Sequence, residues 1–90
     1  MSEDLQNQID QTIRELEEKA STGDSEAQSD LFVFLNAKAM EEYDQSIFDR
    51  AEEMLIRSAE AGWPEAVEQM KMQPKRHRAF AGRLQRNAKS

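Results

Sequence analysis

The sequence predicts an all-α protein of four to five helices arranged as antiparallel helix hairpins, and three observations lead to this prediction. Apolar residues recur every three or four positions through most of the chain, which is the spacing of one helix face. Gly23 and Gly62 follow two of these periodic stretches, where glycine commonly closes a helix. A pattern of six small, apolar or acidic residues occurs twice, 39 residues apart. Periods of this length are typical of stacked helical repeats.

Length and composition restrict the protein to one small domain without disulfide bonds. The 90 residues suffice for a single modest core. With no cysteine, the chain has neither a disulfide framework nor a thiolate metal site. The first residues are acidic and no apolar run follows them, so we expect no signal peptide, no membrane span and a cytoplasmic location.

Charge divides the chain into two regions. Residues 1–70 hold all 18 acidic residues against five basic ones, a net charge of −13. Residues 71–90 hold seven basic residues and no acidic one, a net charge of +7. We therefore expect an acidic helical domain over residues 1–74 and a basic C-terminal tail over residues 75–90.

Two long helices are expected first. One apolar stripe at helical spacing predicts helix 1 over residues 3–20; its members are Leu5, Ile9, Ile13, Leu16 and Ala20. Asp24 or Ser25 caps helix 2, which is expected to reach about Tyr43. Because residues 31–35 are apolar on every side of this helix, it is predicted to be the central one.

The second half of the chain predicts two further helices and a weak fifth. Ser46 begins a capping-box pattern, which predicts helix 3 over residues 46–61. Pro64 suits the first turn of helix 4, expected over 64–72 because Pro74 ends it. Residues 76–87 can form a helix, but Gly82 lies in its middle, so we expect it to be marginal or frayed.

The duplicated pattern resembles the Sel1-like repeat, a relative of the tetratricopeptide repeat. Ten positions carry it in two copies: Leu16, Ala20, Gly23, Ala27 and Leu31, then Leu55, Ala59, Gly62, Ala66 and Met70. The period of 39 residues exceeds the 34 of the tetratricopeptide repeat, which favours the Sel1-like family. The chain holds one complete unit with half a unit on each side. Helix 1 and the tail are therefore expected to act as caps, or the protein dimerises.

What the resemblance implies is protein–protein interaction, as a small adaptor, regulator or inhibitor of bacterial type. A second stripe on helix 2 is the candidate partner-binding groove: Phe32, Asn36, Met40 and Tyr43. Aromatic and methionine side chains are common anchors in interfaces. The alternative is that helix 1 or the tail covers this stripe. Trp63 is either a further interface anchor or a side chain packed over the Gly62 turn.

Three interpretations of the tail remain open. Its cations, with Arg76, Arg78, Arg83 and Arg86 as candidate contacts, could bind nucleic acid, dock on an acidic protein surface including this chain's own, or stay solvated. The single histidine, His77, has no carboxylate near it in sequence and is interpreted as a solvated residue. No catalytic residue, metal ligand or cofactor is predicted, so we expect the protein not to be an enzyme.

Overall fold

A computed structural model describes the backbone of residues 2–89 and the side chains of residues 4–88, and this part of the chain is helical with no strand. Met1 and Ser90, the outer ends of the two predicted regions, lie outside the described residues. There are five helices: α1 Ser2–Ser21, α2 Ser25–Glu42, α3 Gln45–Glu60, α4 Pro64–Met70 and α5 Gln73–Lys89. The predicted all-α fold is confirmed.

The three successive hairpins α1–α2, α2–α3 and α3–α4 form the body of the protein. Their main core is built around α2, with side chains from all four helices: Ile13, Ala20, Ala27, Leu31, Phe32, Leu35, Ala51, Met54, Leu55 and Ala66. Five of these are repeat positions, and the partly buried Leu16, Ala59 and Met70 pack against them. The repeat pattern therefore places its apolar members where the hairpins meet.

The two glycine turns have the same geometry. Gly23 and Gly62 have φ angles of +92° and +90°, in the left-handed region where a side chain is strained. In each turn the glycine N–H donates to an alanine carbonyl three residues earlier, Ala20 at 3.1 Å and Ala59 at 2.9 Å. The next N–H in each turn donates to the carbonyl five residues before it, as in a Schellman motif. These bonds satisfy the last carbonyls of α1 and α3.

The starts of α2 and α3 are capped by aspartates. Asp24 accepts a hydrogen bond from the Ala27 N–H at 3.1 Å, which selects it over Ser25 as the cap of α2. Asp44 accepts from the Ser46 N–H at 2.9 Å and caps α3. Ser46, the expected cap, is instead the second residue of α3. The Asp44 carboxylate caps the helix better than the Ser46 hydroxyl, because it accepts from two backbone N–H groups while the hydroxyl is itself bonded to Asp44.

The region expected as a marginal helix or disordered tail forms α5, longer than the weak helix expected over 76–87. Pro74 lies in its first turn, where its missing N–H removes no intrahelical bond. α4 has already ended at Met70. A second, smaller core holds α5 against α2 and α3; its buried members are Ala39, Phe48 and Phe80.

Candidate partner-binding groove

Three members of the stripe predicted to face a partner, Phe32, Met40 and Tyr43, contact α5 instead. Phe32 is only 3% exposed and belongs to the main core. Asn36 and Met40 are half-buried, and Tyr43 is 40% exposed. Of the two alternatives drawn from the sequence, an open groove or a covered one, the structure has the covered arrangement, and the covering element is the basic tail.

The surface that receives α5 consists of five residues, and we call it the α5 seat: Phe32 and Met40 on α2, Tyr43 at the C-cap of α2, and Phe48 and Glu52 on α3. α5 contacts the N-terminal side of this surface near Phe32 and its C-terminal side near Tyr43, so it runs parallel to α2. Three groups of contacts hold it there, each from a different turn of α5.

The first group is a buried ion pair between α3 and α5. The Arg76 Nε donates to Glu52 Oε2 at 3.0 Å and its Nη2 donates to Glu52 Oε1 at 2.9 Å. The side chains are 11% and 6% exposed, and the His77 Nε2 lies 2.9 Å from Glu52 Oε1. A bidentate geometry of this kind is among the stronger charge-assisted contacts in proteins. Glu52 thus fixes the start of α5.

Arg76 also joins α5 to two further helices. Its guanidinium carbon lies 4.9 Å from the centre of the Phe32 ring, within the range of a cation–π contact. Its Nη1 donates to the Gln69 carbonyl at 2.6 Å, near the end of α4. One side chain therefore contacts α2, α3 and α4 together, which makes Arg76 the principal anchor of α5.

The second group is aromatic. The rings of Phe48 and Phe80 stack nearly parallel with centroids 4.2 Å apart, and both side chains are 2% exposed. The His77 ring meets the edge of Phe48 at 5.2 Å. Phe80 is the only residue of α5 that is buried among those whose side chains the structure describes. The apolar packing of α5 against the body is therefore concentrated at Phe80.

The third group lies at the C-terminal end of α2. The Arg83 Nε and Nη2 donate to the Met40 carbonyl at 3.2 and 2.9 Å. This carbonyl is among the last four of α2, which have no intrahelical partner. The last turn of α2 has no basic residue of its own, so Arg83 supplies the cation that a helix C-terminus favours. The Arg83 guanidinium also lies 5.5 Å from the Tyr43 ring centre.

The remaining candidate residues lie elsewhere. Arg78 and Arg86 are exposed on α5 and form no ion pair with a described side chain. Trp63 is half-buried and packs against the main core beside the Gly62 turn. His77 is half exposed to solvent, and the fold also brings Glu52 and Phe48, distant in sequence, against its ring.

Sequence reasoning missed Phe48 and Glu52 as contacts of the tail, although the repeat contained a signal. The 39-residue offset places Glu52 at the position of Ile13, which is buried in the first copy. A carboxylate at a buried position requires a cationic partner. Because the cations of this chain are concentrated after residue 70, this pattern indicates that the partner of Glu52 lies in the tail.

The residues that the structure describes include neither a metal-binding cluster nor a membrane-spanning helix. Their side chains include no cluster of three or more histidine, aspartate or glutamate residues able to hold a metal ion. Within residues 2–89, no helix combines the length and the apolar character needed to cross a bilayer. Comparisons with protein-family models, with curated proteins and with solved structures give no match to this chain.

Proposed function

We propose that this protein is a small, cytoplasmic, non-catalytic protein-binding module of bacterial type that binds a helix of a partner protein in the α5 seat. One observation carries the proposal: the seat already binds a helix. Arg76, Phe80 and Arg83 are its anchors, at positions i, i+4 and i+7 of α5. Amphipathic helices that dock in grooves use this same spacing.

The contacts of α5 define what a competing helix needs. A competing helix needs an arginine opposite Glu52 and an aromatic ring that stacks on Phe48. One turn after the ring it needs a second cation, which binds the Met40 carbonyl. Residues 1–70 carry a net charge of −13, which attracts a basic helix and raises its association rate. The expected partner segment is therefore a basic amphipathic helix, and the protein would act as its adaptor, regulator or inhibitor.

Membership of the Sel1-like repeat family is part of this proposal. Its support is the equivalence of the two glycine turns and the burial of Ala27 and Ala66, which are 3% and 0% exposed at matching repeat positions. Small residues at these positions allow two helices to pack closely.

The test uses a fluorescent peptide of residues 73–89 added to the full-length protein. In an Arg76→Ala, Phe80→Ala variant, α5 loses its principal anchor and its buried ring and leaves the seat, whose own residues are unchanged. We expect this variant to bind the peptide saturably, and the wild-type protein to bind it more weakly because α5 competes at high effective concentration. A peptide with Phe80→Ala is the matched control and should bind poorly.

Failure of the peptide to bind a variant that keeps the helical circular dichroism of the body would refute a helix-binding seat. If the peptide binds, it becomes a competitor in affinity capture from lysate with the same variant. A captured protein that the peptide displaces is a partner of the seat; one that it does not displace is not.

A nucleic-acid role remains the alternative, and the exposed Lys75 and Arg78 on the outer side of α5 are the observation behind it. Arg76 and Arg83 are occupied by Glu52 and Met40, which leaves fewer cations for phosphates. This alternative requires measurable DNA or RNA binding at low salt that falls steeply as salt is added. Sedimentation of the wild-type protein distinguishes a monomer from the homodimer that the sequence also allowed.

A further inference from the structure

A small cavity at the Tyr43 end of the seat is lined by two arginines. It has a volume of about 140 Å³ and lies where the end of α2 meets the second half of α5; its lining residues are Tyr43, Arg83, Arg86 and Asn87. No described carboxylate lies within 4.0 Å of the guanidinium nitrogens of Arg83 or Arg86. Two like charges beside one cavity repel each other unless an anion lies between them.

The acidic side chains next to this cavity in sequence make their contacts elsewhere. Glu42 lies 4.0 Å from the Lys38 ammonium on α2. The Asp44 carboxylate accepts hydrogen bonds from the Ser46 N–H and hydroxyl at the start of α3. Neither of these two carboxylates forms an ion pair with Arg83 or Arg86.

Tyr43 has an unusual backbone for an aromatic residue. Its φ of 55° and ψ of 42° are left-handed, at a helix end where glycine or asparagine is favoured. Strain of this kind is concentrated at functional sites. Here it places the ring against Arg83 and along the wall of the cavity. Because Nε and Nη2 of Arg83 are bonded to Met40, its Nη1 remains for a ligand.

We propose that Tyr43, Arg83 and Arg86 form a binding site for a tetrahedral oxyanion of the phosphate type. Planar guanidinium groups match the oxygens of such anions, and a tyrosine hydroxyl can donate a further hydrogen bond. The cavity admits a small anion. The carbonyl end of the α2 dipole opposes an anion, and solvent screens the open side, so the dissociation constant is millimolar.

The site is complete only while α5 lies in its seat, because Tyr43 belongs to the end of α2 and both arginines belong to α5. An anion bound here stabilises the seated α5 by linkage. It thereby opposes any helix that competes for the seat. The binding site itself depends on the seated α5 of the structure and not on the existence of a partner protein.

The test is a titration of the full-length, ¹⁵N-labelled protein with sodium phosphate at constant ionic strength. We expect saturable shifts of the Tyr43 amide and of the Arg83 and Arg86 side-chain resonances. Arg86→Gln should raise the dissociation constant roughly fivefold through loss of one partly screened charge. Arg78→Gln removes the same charge from the same helix outside the cavity and should leave the constant unchanged.

Equal weakening by the two variants, or shifts that do not saturate, would overturn the site in favour of diffuse attraction to α5. Sulfate should compete with phosphate and acetate should not; saturation by acetate would overturn the tetrahedral ligand class. Phosphate at ten times its dissociation constant should slow hydrogen exchange in residues 73–89 by about 11-fold in the wild type. Unchanged exchange would overturn the linkage to α5.

Discussion

Replacing Arg76 with alanine should release α5 while the body stays folded. The change removes both hydrogen bonds to Glu52, whose side chain is 6% exposed, together with the contacts to Phe32 and the Gln69 carbonyl. Breaking a buried ion pair typically costs about 3–5 kcal/mol because one charge is left buried. Here water can reach Glu52 once α5 leaves, so we expect about 2–3 kcal/mol.

Hydrogen exchange followed by mass spectrometry reports the two regions separately. An increase of roughly 30- to 150-fold in exchange across residues 73–89 corresponds to this range of free energy. Peptides from α1 should exchange at the wild-type rate, because the contacts of Arg76 are with α2, α3 and α4. Arg78→Ala, an equal change of charge on the exposed side of α5, is the matched control and should leave exchange unchanged.

The reasoning is refuted if α5 exchanges at the wild-type rate in Arg76→Ala, or if Arg78→Ala opens it equally. A double variant, Glu52→Leu with Arg76→Leu, tests the physical cause. Apolar replacement of a complete buried pair is often neutral or stabilising, so α5 should regain protection. If it does not, the anchor is the hydrogen-bond geometry of this particular pair and not the avoidance of a buried lone charge.

Three further predictions concern packing, helix propensity and capping. Ala66→Leu should lower stability by about 1–3 kcal/mol in urea unfolding because Ala66 is fully buried, whereas Ala88→Leu at an exposed position should change little. Gly82→Ala should stabilise α5 by about 1 kcal/mol in the same assay, since the added methyl group would meet only one guanidinium nitrogen, at 3.4 Å. The hydrogen bond from Ser46 holds the pKa of Asp44 below its ordinary value of 3.8. The ionised Asp44 carboxylate therefore stabilises the folded state fully above pH 3.8, and this contribution is lost as the pH falls through the lower pKa of the folded state. Asp44→Asn should remove this pH dependence of stability.

The helices of the body could be predicted from the sequence because their signals are local. Apolar spacing, two glycines and capping residues place the ends of α1, α2 and α3 within one or two residues of the structure. The order of α5 could not be predicted in this way. Its anchors are partners 24 and 43 residues away in the chain, Glu52 for Arg76 and Met40 for Arg83. Local propensity, weakened by Gly82, predicts a poor isolated helix, and in the folded chain tertiary contacts override it.

The difference between local signals and long-range contacts also explains why the sequence left the candidate groove undecided. The Phe32 stripe is mainly apolar at helical spacing, and that pattern is identical for a face covered by a partner and one covered by the chain itself. Only the position of α5 separates the two cases. The charge pattern did indicate that the basic tail could dock on the acidic body, since opposite charges attract each other. It does not identify which carboxylate meets which arginine.

The seat exists because the second repeat has a short second helix. In the first copy α2, with 18 residues, extends along nearly the whole of α1. In the second copy α4 has seven residues, about 10 Å of helix, against about 24 Å for α3. The part of α3 that α4 does not reach holds Phe48 and Glu52, the equivalents of Ile9 and Ile13. α5 covers this part, so α4 and α5 together replace one long helix. Under the proposed function, we therefore expect a helix that replaces α5 to place a cationic side chain opposite Glu52, as Arg76 does.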